Sequence, residues 1–267
     1  MKTIRIFIFI LPVLFSSFAK LQAQDKDNSK INNFKLGLEA GFNSYWGEVA
    51  KPEHVRENYS SPYSYSFHIL PTQSAMVYHL GFKPEYFFLR NRFGISAGLR
   101  VSRFSSAFES GNSYPVMWLL RQEDIHTEYV RIRSITQNSY YVGIPLEIRF
   151  FPNRREFRFQ HYLKLGVALN CHVHTKYKTV FYDEHMHIHA GTVEAQLGKP
   201  YSFNSYIYPA IGFKIGRSPS PWVNLEIYCS ALITPRTISF MKNGAGVGCQ
   251  FSVQLPVGKS APVGSSK

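Results

Sequence analysis

Histidines and acids concentrate in one short run. The segment from Tyr182 to Gly191 reads YDEHMHIHAG, with His185, His187 and His189 at every second position and Asp183 in the same parity. On an extended strand those side chains share one face, and imidazoles gathered with a carboxylate are ligands for Zn2+ or Cu2+. The run is therefore a candidate metal site; the competing reading is three solvated imidazoles with no common centre. His172 and His174 fall on the inward parity of the strand before it.

A second set of charges is dispersed along the chain. Glu39, Arg100, Glu147, Arg149, Lys164, Lys214 and Glu226, with Lys83, each sit on the polar side of an alternating stretch. Facing into a barrel they would line a pore or pair into a salt-bridged plug. The plug is the expected arrangement, because eight strands enclose just enough room for side chains and an unpaired buried charge is costly. No Gly-x-Ser-x-Gly or similar pattern singles out a nucleophile among the scattered Ser and His. No catalytic residue and no cofactor site is assigned, and the chain is expected not to be an enzyme.

The elements that must carry these residues alternate with a period of two. From Tyr141 to Phe150, Val142, Ile144, Leu146, Ile148 and Phe150 alternate with Tyr141, Gly143, Pro145, Glu147 and Arg149; from Leu163 to Val173 the pattern repeats. Each run is about twice the usual soluble strand and fits a tilted bilayer-spanning strand of ~9–11 residues. Similar runs lie within 33–46, 76–90, 93–104, 203–216, 222–233 and 244–255. Connections at 47–75, 105–137, 176–202 and 236–242 are the longer set, and those near Asn91, Pro152 and Arg217 are short. This alternation predicts an all-β fold: an eight-stranded antiparallel transmembrane up-and-down β-barrel with long extracellular loops and short periplasmic turns. A soluble eight-stranded barrel shows the same period with its apolar face inward; the glycine-rich, charged polar face favours the membrane form. Pro84, Pro145 and Pro209 oppose it, since proline forfeits a ladder hydrogen bond, unless local irregularities take them up. Aromatic residues at strand ends, Trp46, Tyr86, Phe88, Tyr140, Phe150, Tyr162, Phe203 and Trp222, are expected in two interfacial girdles.

Lys2 and Arg5, the apolar run from Ile6 to Phe15 and the sequence Leu21-Gln22-Ala23 read as a signal peptide over 1–23. A linker at 24–32, the barrel at 33–255 and a disordered tail at 256–267 complete the organisation. Without the signal the chain has 27 basic against 17 acidic residues. The basic residues are dispersed and no nucleic-acid motif accompanies them, so no nucleic-acid partner is expected. Anionic outer-membrane lipid, lipopolysaccharide or an envelope protein is the expected partner. Cys171, Cys229 and Cys249 are too few for a disulfide scaffold; Cys229 and Cys249 are either lipid-facing thiols or a cross-strand pair. The apolar patch Tyr114 to Leu120 is either packing or a partner surface.

The YVGIPLEIRFF strand, the basic turn after it and the following (Tyr/His)-x-Leu-x-x-Gly strand, here His161 to Gly166, resemble the PorT-like outer-membrane β-barrel family of the Bacteroidota. The resemblance rests on Tyr140 to Gly166. It implies an eight-stranded barrel in the cell outer membrane and says little about activity. A structural or interaction role through the extracellular loops is expected. An accessory role in transport or type IX-like secretion, and a lipid A-modifying enzyme, are the alternatives.

Overall fold

The computed structural model describes residues 33–49, 52–56, 72–89, 92–109, 116–122, 127–152, 158–197, 200–216, 220–233 and 241–257. The expected signal peptide and linker, and the expected tail beyond Val257, lie outside the described residues.

Eleven strand segments form one antiparallel sheet. They are β1 (Phe34–Val49), β2 (Val55–Arg56), β3 (Thr72–Phe88), β4 (Phe93–Ala97), β5 (Leu99–Glu109), β6 (Val116–Gln122), β7 (Thr127–Phe150), β8 (Phe159–Phe181), β9 (Phe203–Ile215), β10 (Trp222–Leu232) and β11 (Met241–Pro256). β4 and β5 are two halves of one strand interrupted at Gly98, both lying between β3 and β7. From there β7 pairs β8, β8 pairs β9, β9 pairs β10, β10 pairs β11, β11 pairs β1, and β1 pairs β3.

Alternation along these strands separates two environments, and their polarity is the reverse of a soluble protein's. On the outward side Leu80 is 67% exposed and Ile227 62%, in company with Leu38, Phe42, Val101 and Ile211. On the other side Lys83, Arg100, Arg149 and Lys214 are almost wholly buried. Such a continuous apolar exterior exceeds the patches that soluble monomers expose.

The three prolines fall where the ladder is already interrupted. β3 pairs β4 from Glu85 onward and β5 up to Phe82, so Pro84 stands beside the break at Gly98. Pro145 stands on the other side of the same break, where its carbonyl accepts the Gly98 N–H at 3.3 Å. A Cβ on Gly98 would collide with the Phe82 carbonyl, so only glycine lets the strand pass between its neighbours. Pro209 lies in the gap between the Tyr228–Ala210 and Ala231–Ile207 pairs. No central hydrogen bond is therefore demanded of any of them.

The expected long loops at 105–137 and 176–202 are largely regular structure. β5 runs on to Glu109, β6 and β7 form a hairpin from Val116, and β8 continues to Phe181. After it come a 3-10 turn, Glu184–His189, and a short helix α1, Ala190–Gln196. At 24 and 23 residues, β7 and β8 are about twice what a tilted span requires. Their extensions carry polar residues on the outside as well, such as Arg131, Arg133, Lys176 and Lys178, which is why simple hydrophobic alternation does not mark them. In the 47–75 connection, β1 reaches Val49, β2 pairs β6, and β3 begins at Thr72; residues 50–51 and 57–71 lie outside the described residues, as do 236–240 of the expected 236–242 loop.

Candidate functional site

Two features stand out: a polar interior and an ordered extension beyond the apolar belt.

The interior is organised around Glu147. Its carboxylate lies 2.6 Å from Lys83 Nζ and 3.2 Å from Lys164 Nζ, and it accepts the Tyr208 hydroxyl at 2.9 Å. Glu39 pairs with Lys83 at 2.7 Å and Arg100 at 2.6 Å and accepts the Gln250 amide at 2.8 Å. Arg149 spans the interior between Glu85 at 2.9 Å and Glu226 at 2.8 Å, with its guanidinium over the Tyr162 ring. Lys164 also pairs with Glu226, which accepts the Tyr162 hydroxyl at 2.6 Å. Four carboxylates and four cations thus compensate one another, as buried charge requires.

Aromatic layers lie on either side of these charges. Phe87, Phe151, Tyr162 and Trp222 pack together at the short-turn end. Tyr45, Phe104, Tyr141, Tyr206 and Tyr228 form the other layer. Glycine makes the tyrosine positions possible. Tyr208 lies opposite Gly166, and Tyr162 opposite Gly212, on neighbouring strands. A Cβ at either glycine would overlap the ring. Each ring therefore rests flat on the wall with its hydroxyl in the charge network.

Of the sequence-assigned network, Glu39, Arg100, Glu147, Arg149, Lys164 and Glu226 come together. Lys214 is buried nearer the short-turn end, where it donates to Gln160 Oε1 at 3.1 Å with its ammonium 4.5 Å from the Trp222 ring centroid. Glu85 and the tyrosines are additions. Glu85 shares the parity of Lys83 and is legible once the alternation is carried past Pro84. Tyr162 and Trp222 belong to this interior and not to the girdles, because they share the parity of Lys164 and Glu226.

The histidines are not brought together. Residues 184–189 form a 3-10 turn and not a strand. At three residues per turn, positions two apart point about 120° from each other, so His185, His187 and His189 diverge. His187 packs edge-on against Phe181, and His189 Nε2 lies 3.8 Å from Glu128. Among the described residues no three His, Cys, Asp or Glu side chains converge as metal ligands.

His172 and His174 do not share a face either. Tyr140 pairs with His174 but Tyr141 with His172, so Val173 is an extra residue in β8. This bulge reverses the parity of the strand. His172 bonds Thr175 Oγ1 at 2.7 Å and packs against Tyr141, while His174 faces outward. Cys229 pairs with Val247 and Cys249 with Ile227; both are free thiols.

The extension has a core of its own. Phe108, Trp118, Leu120, Val130, Ile132, Ile135 and Phe181 close over Val193 of α1 and Leu197 just after it. Trp118 Nε1 donates to Gln196 Oε1 at 2.7 Å, and Gln196 Nε2 donates to the Leu120 carbonyl at 2.9 Å. Of the patch at 114–120, Trp118 and Leu120 are therefore packing; residues 114 and 115 lie outside the described residues. Tyr177 borders this core, where burial, and secondarily the Glu194 carboxylate, raises its hydroxyl above the ordinary phenol range.

A sheet with an apolar exterior and a charged, side-chain-filled interior defines the class of protein: an outer-membrane β-barrel type of fold. No family model and no curated protein matches the chain. The similar solved structures include the outer membrane protein OprG from Pseudomonas aeruginosa, at 10% identity over 85% of this chain and 96% of that one, TM-score 0.35. Ail of Yersinia pestis, solved with the heparin analogue sucrose octasulfate, is 10% identical over 83% and 98%, TM-score 0.32. The N-terminal β-barrel domain of Pseudomonas aeruginosa OprF is 8% identical over 84% and 99%, TM-score 0.29. Likenesses of this size carry nothing about activity or ligands.

Proposed function

We propose that this chain is a closed, eight-stranded barrel of the bacterial outer membrane with a non-enzymatic interaction role, exercised through the ordered extension at its long-connection end. β4 and β5 count as one strand in this reading, and β2 and β6 belong to the extension. The circuit of pairings supports closure. A row of paired residues followed from His174 through Tyr140, Arg103, Tyr78 and Phe42 continues through Cys249, Ile227 and Ile211 to Leu163, far down the strand it left. That displacement is the stagger that closing tilted strands demands.

The observation that carries the role is the second hydrophobic core. A barrel needing only to span would end its strands at the interface, whereas β7 and β8 continue and fold a helix against themselves. The extension presents a fixed surface to an envelope protein or to the cell exterior. The filled interior supports a barrel that does not conduct.

Gel migration of the separated outer membrane, with and without boiling, tests the barrel; a folded form that shifts on boiling is the expected result. Reconstitution into a planar bilayer tests the interior, with no unitary conductance expected. A protein found soluble in the periplasm and without a heat shift would overturn the reading.

A further inference from the structure

The outward face of β5, β7 and β8 changes character within one row. Leu80, Val101 and Val142 lie side by side in the apolar belt. Two residues further along, Tyr78, Arg103, Tyr140 and His174 form the next row. The row after that contains Met76, Ser105, Asn138 and Lys176, and then come Ala107, Thr136 and Lys178. Arg103, His174, Lys176 and Lys178 are all exposed. Their common orientation depends on the bulge at Val173, without which the β8 members would point inward.

We propose that this face binds the phosphate groups of outer-leaflet lipopolysaccharide, with Arg103, Lys176 and Lys178 as the cationic contacts and His174 as a further donor. The inference rests on the membrane-barrel reading. Four observations carry it. The residues begin where the apolar belt stops, at the depth where lipid phosphates lie. Arg103 Nε and Nη2 both donate to Asn138 Oδ1, at 3.1 and 2.8 Å, which holds the guanidinium across the face with donors to spare. No carboxylate stands in these three rows; exposed Glu109 pairs with Ser134, beyond them. Among the described residues the outward positions at the same ends of β1, β9 and β11 and just past β10 are not cationic but Trp46, Phe203, Ala245 and Ile233.

Arg103 on β5 and the lysines on β8 stand two strand spacings apart, ~10 Å, and Lys176 and Lys178 ~7 Å apart along β8, a spread that suits a ligand with more than one phosphate. The ligand class is therefore the bisphosphorylated, acylated glucosamine headgroup and not a singly charged phospholipid. Tyr78 and Tyr140 in the first row supply amphipathic rings at the boundary.

The test uses the full mature chain, folded in zwitterionic micelles and titrated with bisphosphorylated lipid A, with phosphatidylglycerol and with dephosphorylated lipid A. Wild type is expected to take up the bisphosphorylated form in preference to the other two. Lys176→Gln with Lys178→Gln should weaken that binding at least about tenfold, ~1.4 kcal/mol. Arg92→Gln with Arg158→Gln, exposed at the short-turn end, should leave it unchanged. Equal losses in both double variants, no loss in the first, or equal binding of either comparison lipid would overturn the proposal. Heat modifiability of each variant is read in parallel. A wild-type chain that never gives the heat-shifted form would instead remove the barrel reading beneath it.

Discussion

Tyr208 lies across Gly166 on the neighbouring strand and delivers its hydroxyl to Glu147, 2.9 Å away on a third. One absent side chain thereby sets the position of the residue that most of the interior cations approach. Gly166→Ala should push the ring off the wall and separate it from Glu147, lowering stability by about 1–3 kcal/mol, as overpacking does. The urea midpoint of the heat-modifiable form measures this. Gly191→Ala, where an added Cβ meets nothing within 4 Å, should not lower that midpoint.

Removing the hub charge should cost more than removing any exposed one. Glu147→Ala leaves Lys83 and Lys164 short of a shared carboxylate and should destabilise by about 3–5 kcal/mol, the usual consequence of breaking a buried pair. Arg103→Gln, on the outward face, should stay within about 0.5 kcal/mol of wild type. Parallel urea titrations in vesicles compare the two; equal effects would mean that the interior network contributes little.

The extension should lose order without the barrel losing it. Trp118→Ala removes the largest side chain of the second core and the donor to Gln196, at a local cost of about 3–5 kcal/mol. New protease cleavage within 116–197, on a protein that still shifts on boiling, is the expected result. Loss of the heat shift as well would show that the two cores fold as one.

Much of this arrangement was legible in the sequence, for a physical reason. A wall with an apolar face on one side and packed charge on the other imposes strict alternation, so Leu80 against Lys83 or Ile227 against Glu226 can be read directly. What alternation cannot reveal is an inserted residue. Val173 turns His174 outward, and Arg133 similarly occupies an extra position in β7; beyond each, the parity counted from the apolar belt is inverted. The extension was opaque for another reason, because there both faces carry polar residues and the inner apolar ones come from β6, α1 and β7 together. The histidine spacing misled because equal spacing means a shared face on a strand and divergence in a 3-10 turn.

Deleting Val173 tests the first of these points. In a background with Cys171, Cys229 and Cys249 replaced by serine, Lys178→Cys should react with a water-soluble maleimide and Thr179→Cys, buried, should not. Removal of Val173 should exchange those reactivities. Unchanged labelling would mean that the strand re-forms its bulge elsewhere.

Zinc provides a check on the histidine turn. With His185, His187 and His189 directed about 120° apart, addition of Zn2+ should not raise the urea midpoint. A saturable stabilisation lost on His187→Ala would show that the turn rearranges around a metal.

If the chain is the membrane barrel proposed above, the charge network also constrains how it inserts. Glu147 on β7 draws its partners from β3, β5 and β8, and the Glu226 that shares Lys164 and Arg149 with it arrives only with β10. In the proposed barrel a half-inserted chain would hold bare ions against hydrocarbon, which favours entry of the strands as a nearly complete ensemble. Assembly of the proposed barrel would then be close to all-or-none, with its apolar exterior kept from water until the last strands join.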